Sequence, residues 1–226
     1  MKYLLTSGGI KNPSIHHALV GLLGKPIAEC SALCIPTANH AQANGAERGY
    51  VFVAGQEPRS PMAELGWKSL GLLELTALPS IDRANWVRWV QATDVLLVNG
   101  GDPMYLCYWM QQSGLADLLP SLNETVYVGL SAGSVVMAPS IGADFVHWQS
   151  PSGGDKTLGL VDFAMFPHLD HPEMPDNSMA NAEKWAAGMP VPSYAIDDQT
   201  AIQVVDGAVE VVSAGHWKRF GPNGVQ

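Results

Sequence analysis

The sequence predicts an α/β fold in which helices wrap a mostly parallel sheet and a β-hairpin lies near the C-terminus. Three observations predict it. Short apolar runs rich in β-branched residues alternate with helical patterns along the first half of the chain. Two later alternating runs are joined through Asp206 and Gly207, which is a typical hairpin turn. Finally, 226 residues with 47% hydrophobic and 15% charged content are enough to bury a full core.

Five apolar runs are predicted as strands, because each is short and bounded by turn-forming residues. They cover residues 3–6, 32–36, 70–75, 94–98 and 126–130.

Two helices have clear signatures. One covers residues 13–23, with Asn12 as its N-cap and a proline in its first turn. The other covers residues 82–92, where Trp86, Trp89 and Val90 recur at helical spacing. We expect both tryptophans to pack in the core. Further helical runs begin near residues 103 and 134.

No repeat, low-complexity tract or linker divides the sequence, so we expect a single domain over residues 1–226. Beyond Ser131, glycine, proline and serine mark loops around short strands. These loops are expected to form a wall of the functional site.

Charge and composition restrict the partners. The net charge is −9, with 12 Lys and Arg against 21 Asp and Glu, so neither nucleic acid nor an anionic membrane is an expected partner. A small substrate is favoured, and a homodimer is compatible with the sequence. The apolar N-terminal stretch is too short for a signal peptide, and no run could span a bilayer, which predicts a cytoplasmic protein. The three cysteines form no C-x-x-C pair, so neither disulfides nor a zinc site is expected.

The clearest chemical motif is Gly129-Leu130-Ser131-Ala132-Gly133, which satisfies G-x-S-x-G. In this motif a strand turns sharply into a helix and exposes the serine hydroxyl. The apolar run before Ser131 and the helical run after it supply that context. The alternative is a small-residue turn that only caps a helix.

A serine nucleophile needs a base, and the base needs an orienting acid. Of seven histidines, His168 is favoured because it follows an apolar run where a predicted strand enters a Pro-rich loop. His171 is its main rival. Sequence spacing leaves three candidates for the acid: Asp170, Asp197 and Asp198.

An oxyanion site is predicted from a second strand end, Asn99-Gly100-Gly101-Asp102. Its glycines allow backbone N–H groups to point into a cleft, where with the N–H of Ala132 they could stabilise a developing oxyanion. The segment lacks the spacing of a dinucleotide or phosphate loop, so nucleotide binding is not expected.

Taken in order, the segments LLTSGG, CIPTA, VNGGDP, GLSAGS, FPH and AIDDQTAI resemble the peptidase E family of serine peptidases, which includes α-aspartyl dipeptidases and, more distantly, cyanophycinases. The resemblance implies a three-layer, glutamine-amidotransferase-like sandwich with a mostly parallel central sheet. It implies Ser131 as nucleophile, His168 as general base and Asp198 as acid. It also implies Gly101 as an oxyanion-hole residue.

The function expected from this resemblance is cleavage of small peptides, as by a dipeptidase, through an acyl-enzyme and without metal or organic cofactor. Two alternatives stay open. One is an α/β-hydrolase-type esterase using Asp170 and His216. The other is a non-catalytic binding protein on the same scaffold.

Substrate preference is predicted from a missing arginine. The aspartyl dipeptidases carry an arginine-containing segment after the histidine, whereas the matching segment here has only Lys184. We therefore expect a preference for Asp-X dipeptides below roughly tenfold, equivalent to about 1.4 kcal/mol. Arg48 or Arg59, from the first half of the chain, could reach over the cleft and supply the cation.

Overall fold

The structure, a computed structural model, describes residues 1–56 and 61–224. Within these ranges the chain forms ten strands in two sheets. The strands are β1 (Lys2–Thr6), β2 (Ser31–Ile35), β3 (Ser69–Leu72), β4 (Val95–Val98), β5 (Val126–Leu130), β6 (Ala164–Phe166), β7 (Ser193–Ile196), β8 (Thr200–Val205), β9 (Ala208–Ser213) and β10 (Trp217–Phe220).

The larger sheet has seven strands in the order β3-β2-β4-β5-β1-β8-β9. The five strands from β3 to β1 are parallel, while β8 and β9 are antiparallel additions beside β1. This mostly parallel sheet confirms the predicted fold class. The predicted hairpin is β8 and β9, and its turn residues Asp206 and Gly207 have φ angles of 50° and 81°. Two positive φ angles fit the right-handed twist of the paired strands.

Helices cover both faces of the larger sheet. Within the described ranges they are α1 (Pro13–Leu23), α2 (Gly45–Val53), α3 (Arg83–Gln91), α4 (Pro103–Gln112), α5 (Leu115–Leu118), α6 (Ala132–Val135) and α7 (Met179–Ala187). Short 3-10 helices occupy Ile27–Glu29, Thr37–Ala41, Leu78–Ser80, Leu119–Ser121, Ala143–Phe145 and Pro222–Gly224. None of the helices in these ranges has the length and apolar character needed to cross a bilayer.

Alternating strand residues build the two cores of the sandwich. Leu97 points towards the core shared with α1 and α2, whereas Leu96 and Val98 point towards the core shared with α3, α4 and α5. The N-cap prediction for α1 is confirmed, because the side chain of Asn12 accepts the N–H of Ile15 at 3.1 Å.

One core prediction is wrong. Trp86 is buried, with 1% exposure, but Trp89 on the same helix is 50% exposed. Trp86 and Val90 are four residues apart and share the face of α3 that contacts the sheet. Trp89 lies beside that face and projects to the surface.

A smaller sheet, which the sequence does not predict, has three strands in the order β10-β7-β6. It packs with α7 around a separate core that includes Phe166, Trp185 and Phe220. Its strands β6 and β7 lead directly into the segments that carry His168 and Asp198. The smaller sheet therefore positions half of the candidate site.

Candidate active site

Ser131 lies in a sharp turn between β5 and α6. Its φ and ψ are 49° and −110°, a conformation that non-glycine residues rarely adopt. The turn is held from β1, because the carbonyl oxygen of Thr6 accepts the N–H of Ser131 at 3.0 Å and the hydroxyl of Ser134 at 2.8 Å. A Cβ at Gly133 would overlap the carbonyl oxygen of Val98. These are the features of a nucleophile elbow.

The structure brings Ser131, His168 and Asp198 into one hydrogen-bonded line. The Nε2 atom of His168 lies 2.8 Å from Oγ of Ser131, and Nδ1 lies 2.7 Å from Oδ1 of Asp198. His168 follows β6 with a φ of 56°, and Asp198 lies in the turn between β7 and β8. A serine, an imidazole and a carboxylate in this order form an arrangement that can activate a hydroxyl.

The electrostatics of Asp198 favour its ionised form. Burial opposes ionisation, but hydrogen bonds and charge from His168 and Lys11 outweigh burial and hold the pKa of Asp198 well below its ordinary value. The ionised carboxylate accepts a hydrogen bond from the N–H at Nδ1 of His168, which leaves Nε2 free to accept a hydrogen bond from Ser131.

The other two candidate acids contact other groups. Asp197 accepts the hydroxyl of Thr200 at 2.6 Å and the backbone N–H of His216 at 2.8 Å, so it stabilises the turn before β8. Asp170 lies 2.9 Å from Nε2 of His216. The pair needed by the esterase alternative is therefore present, but His168 is the histidine hydrogen-bonded to Ser131.

The remaining histidines lie outside this line. His171 lines the same cleft, with Nε2 3.7 Å from Oδ2 of Asp198. His40 contacts Glu74 at 3.0 Å, and His147 is exposed. His16 and His17 lie on α1.

The predicted oxyanion segment is a hydrogen-bonded loop at the end of β4. The side chain of Asn99 accepts the N–H of Gly100 at 2.8 Å and donates to Oδ1 of Asn39 at 2.7 Å, which fixes this loop. Within residues 1–56 and 61–224, the N–H groups of Gly101 and Ala132 have no hydrogen-bond acceptor. Gly101 lines the cleft, and Ala132 directly follows Ser131. Both N–H groups are thus available to a bound ligand.

The cleft has a volume of about 430 Å³. Arg48, on α2, is one of its lining residues. Arg59, the other predicted source of a cation, lies outside the described residues. In the part of the chain that the structure describes, no cluster of His, Cys, Asp or Glu could hold a metal ion. The lining residues are Lys11, Asn39, Gln42, Arg48, Asn99, Gly100, Gly101, Leu130, Ser131, His168, His171, Glu173, Met174 and Asp198.

Cysteine is excluded as a competing nucleophile. All three cysteines are buried and free. Burial raises the pKa of all three thiols, to about 12 for Cys34 and to about 11 for Cys107, which disfavours the thiolate at neutral pH.

Two residues in contact with Asp198 were not predicted from the sequence. The hydroxyl of Ser7 donates to Oδ1 of Asp198 at 2.9 Å, and the ammonium of Lys11 donates to Oδ2 at 2.8 Å. Both follow β1, which lies between β5 and β8 in the sheet. In the sequence both lie just after an apolar strand, and Ser7 falls within LLTSGG, one of the segments that resemble peptidase E, but neither signal indicates a contact with Asp198.

Comparisons with known proteins give one family and one fold. The model of peptidase family S51 matches residues 3–212. A comparison with curated proteins gives no match. A candidate peptidase E from Listeria monocytogenes EGD-e is 17% identical, with a TM-score of 0.64 over 95% of this chain and 98% of that chain. A peptidase from an acI-B1 Actinobacterium is 19% identical, with a TM-score of 0.70 over 98% of this chain and 94% of that chain. At such identities the solved structures show a shared fold alone.

Proposed function

The chain belongs to peptidase family S51 and is a serine-type peptidase, and from this premise we propose that it cleaves dipeptides and similarly small peptides through an acyl-enzyme. One observation carries the proposal: the line of hydrogen bonds from Ser131 through His168 to Asp198, at 2.8 and 2.7 Å. In this proposal Ser131 is the nucleophile, His168 the general base and Asp198 the acid that orients it.

The first half of the reaction forms the acyl-enzyme. Oγ of Ser131 attacks the scissile carbonyl carbon while its proton passes to Nε2 of His168. The carbonyl oxygen becomes an oxyanion that accepts the N–H groups of Gly101 and Ala132. When the tetrahedral intermediate collapses, the C–N bond breaks and His168 gives its proton to the departing amine.

The second half returns the enzyme to its starting state. Water attacks the ester carbonyl carbon, and Nε2 of His168 takes a proton from that water. Collapse of the second intermediate breaks the bond to Oγ of Ser131, which regains the proton. The products are an amine and a carboxylic acid, and the line of hydrogen bonds is restored.

The size of the cleft supports a small substrate. A volume of about 430 Å³ is in the range typical of small-molecule sites and would hold few residues of a peptide. His171, Glu173 and Met174, from the loop after His168, line the same cleft.

The test is a dipeptide library assayed with the wild-type protein and with Ser131→Ala. We expect hydrolysis by the wild type alone, together with labelling of Ser131 by a fluorophosphonate probe. Failure of the probe to label folded wild-type protein, with no dipeptide hydrolysed, would overturn the proposal and favour a binding role.

A further inference from the structure

The hydroxyl of Ser7 contacts both members of the proposed base–acid pair. It accepts the backbone N–H of His168 at 2.7 Å and donates to Oδ1 of Asp198 at 2.9 Å. Ser7 itself is completely buried, with 0% exposure. One hydroxyl therefore fixes the strained backbone of His168, with φ of 56°, relative to the carboxylate that its side chain contacts.

Lys11 holds the other oxygen of the same carboxylate. Its Nζ atom lies 2.8 Å from Oδ2 of Asp198, and the two side chains are 21% and 15% exposed. Ser7 and His168 meet Oδ1 while Lys11 meets Oδ2, so rotation of the carboxylate would break hydrogen bonds at both oxygens. A restricted carboxylate keeps the imidazole in one orientation and one tautomer.

The chain around Ser7 and Lys11 fits Asp198 closely. A Cβ at Gly8 would lie 2.7 Å from Cγ of Asp198, so only glycine allows this approach without a shift. The side chain of Asn12 also donates to the carbonyl oxygen of Gln199 at 2.9 Å. The segment after β1 is thus joined to the turn that carries Asp198 at several points.

We propose that Ser7 and Lys11 are positioning residues of the peptidase reaction: Ser7 sets the distance between His168 and Asp198, and Lys11 fixes and partly neutralises the carboxylate of Asp198. This inference rests on the proposed function, because it assumes that His168 and Asp198 act as base and acid. Ser7 acts through its contacts with the backbone of His168 and with Asp198, and Lys11 acts through Asp198.

The test for Ser7 separates turnover from binding. Ser7→Ala leaves the N–H of His168 without its acceptor, and we expect kcat to fall roughly 10- to 100-fold with KM changed less than about threefold. Ser113→Ala is the matched control, since Ser113 is also buried and its hydroxyl also both donates, to Met110, and accepts, from Leu115. Ser113→Ala should lose about as much stability as Ser7→Ala but keep the kcat of the wild type.

The test for Lys11 uses the pH profile, which a merely structural role would not move. Lys11→Met removes a positive charge near the His168–Asp198 pair. The loss of this charge favours the protonated imidazole of His168. The acidic limb of kcat/KM should therefore move to higher pH, and Lys11→Arg should restore it. Lys25→Met is the control, because Lys25 forms an ion pair of the same 2.8 Å length with Asp94 outside the cleft. His171 also faces Asp198, so the profile is repeated in His171→Asn, where the Lys11 effect should persist.

The outcomes distinguish this inference from the proposed function. If Ser131→Ala is inactive but Ser7→Ala and Lys11→Met keep kcat within about twofold and the same pH profile, the inference is wrong and the proposed function stands. If Ser131→Ala remains active, the proposed function itself fails. If Ser7→Ala does not fold, the pH profile of Lys11→Met decides.

Discussion

The Nε2 atom of His168 lies 2.8 Å from Oγ of Ser131, although the two residues follow strands of different sheets. Ser131 ends β5 of the larger sheet, and His168 follows β6 of the smaller one. The candidate active site therefore forms where the two sheets meet. Packing between the sheets, as well as local sequence, sets the distance between the two atoms.

Removal of the Ser131 hydroxyl should abolish turnover and spare the fold. Ser131→Ala deletes one polar atom at a partly exposed position, and we expect kcat to fall by roughly three or more orders of magnitude. Thermal unfolding checks that the variant is folded. The control is Ser152→Ala, at an exposed loop position, which should keep the kcat of the wild type. Near-normal kcat in Ser131→Ala would remove Ser131 from the mechanism.

Substitution at Gly133 should damage folding itself. Its Cβ would overlap the carbonyl oxygen of Val98, so Gly133→Ala should lower the free energy of unfolding by about 1–3 kcal/mol and Gly133→Val by more. Gly21→Ala, on α1, is the matched control. Its Cβ would meet nothing within 4 Å, so it should raise stability by about 0.5–1 kcal/mol. Urea denaturation measures both, and equal effects at the two sites would contradict the elbow geometry.

The two carboxylates near the candidate site should differ sharply in their effect on turnover. Asp198→Asn preserves shape but favours the wrong tautomer of His168, and we expect kcat to fall by roughly three to four orders of magnitude. Asp170→Asn should change kcat by only a few-fold, because Asp170 contacts His216 instead. Steady-state kinetics of both variants decide the point. A larger loss in Asp170→Asn would place the acid two residues after His168.

Preference for an N-terminal Asp should be weak and should depend on Arg48. Arg48 is exposed and already donates to Gln42, so an ion pair with substrate there is worth up to about 1 kcal/mol. We expect Asp-X to exceed Ala-X and Leu-X by less than about tenfold in kcat/KM, and Arg48→Ala to remove the difference. Arg88→Ala, an exposed arginine hydrogen-bonded to Asn85, is the control. A hundredfold or greater preference for Asp-X would contradict the prediction, and Arg48→Ala and Arg59→Ala would then identify the cation.

The ionisation of Asp198 should make part of the stability depend on pH. Because the pKa of Asp198 is lowered by folding, the unfolded chain takes up this proton more readily than the folded protein does. Its contribution is therefore fully present above the ordinary pKa of about 3.9 and is lost as the pH falls below it. Urea denaturation at pH 6, 5, 4 and 3 should show the advantage of wild type over Asp198→Asn shrinking below about pH 4. An unchanged advantage across this range would contradict the prediction.

The parallel strands of the larger sheet could be predicted because each is a short apolar run, and β8 and β9 because two alternating runs flank a hairpin turn. Ser131 could be singled out because the elbow has a local sequence pattern. The smaller sheet could not be predicted, because its strands are short and lie among Gly, Pro and Ser residues. Spacing alone left the acid undecided among Asp170, Asp197 and Asp198. Their hydrogen bonds depend on how the two sheets pack, which no local pattern encodes.

Ser7 and Lys11 show the same limit at longer range. Ser7 lies in the segment LLTSGG, but that pattern indicates no partner for it, and both residues acquire their contacts with Asp198 only when β1 lies beside β8. Trp89 illustrates the opposite error. A helical spacing identifies an apolar face, but the rotation of α3 about its axis, and with it the exposure of Trp89, is set by the sheet beneath it.

The pairing of β1 with both β5 and β8 has a consequence for the order in which the protein is synthesised. Ser7 and Asp198 are 191 residues apart, so the segment after β1 must wait for the much later turn between β7 and β8 before their contact can form. With Asp198 as the acid, a nascent chain that already displays Ser131 has a nucleophile without an oriented base. If Asp198 is the acid, we expect hydrolysis to begin only after β7 and β8 have formed and β8 has paired with β1.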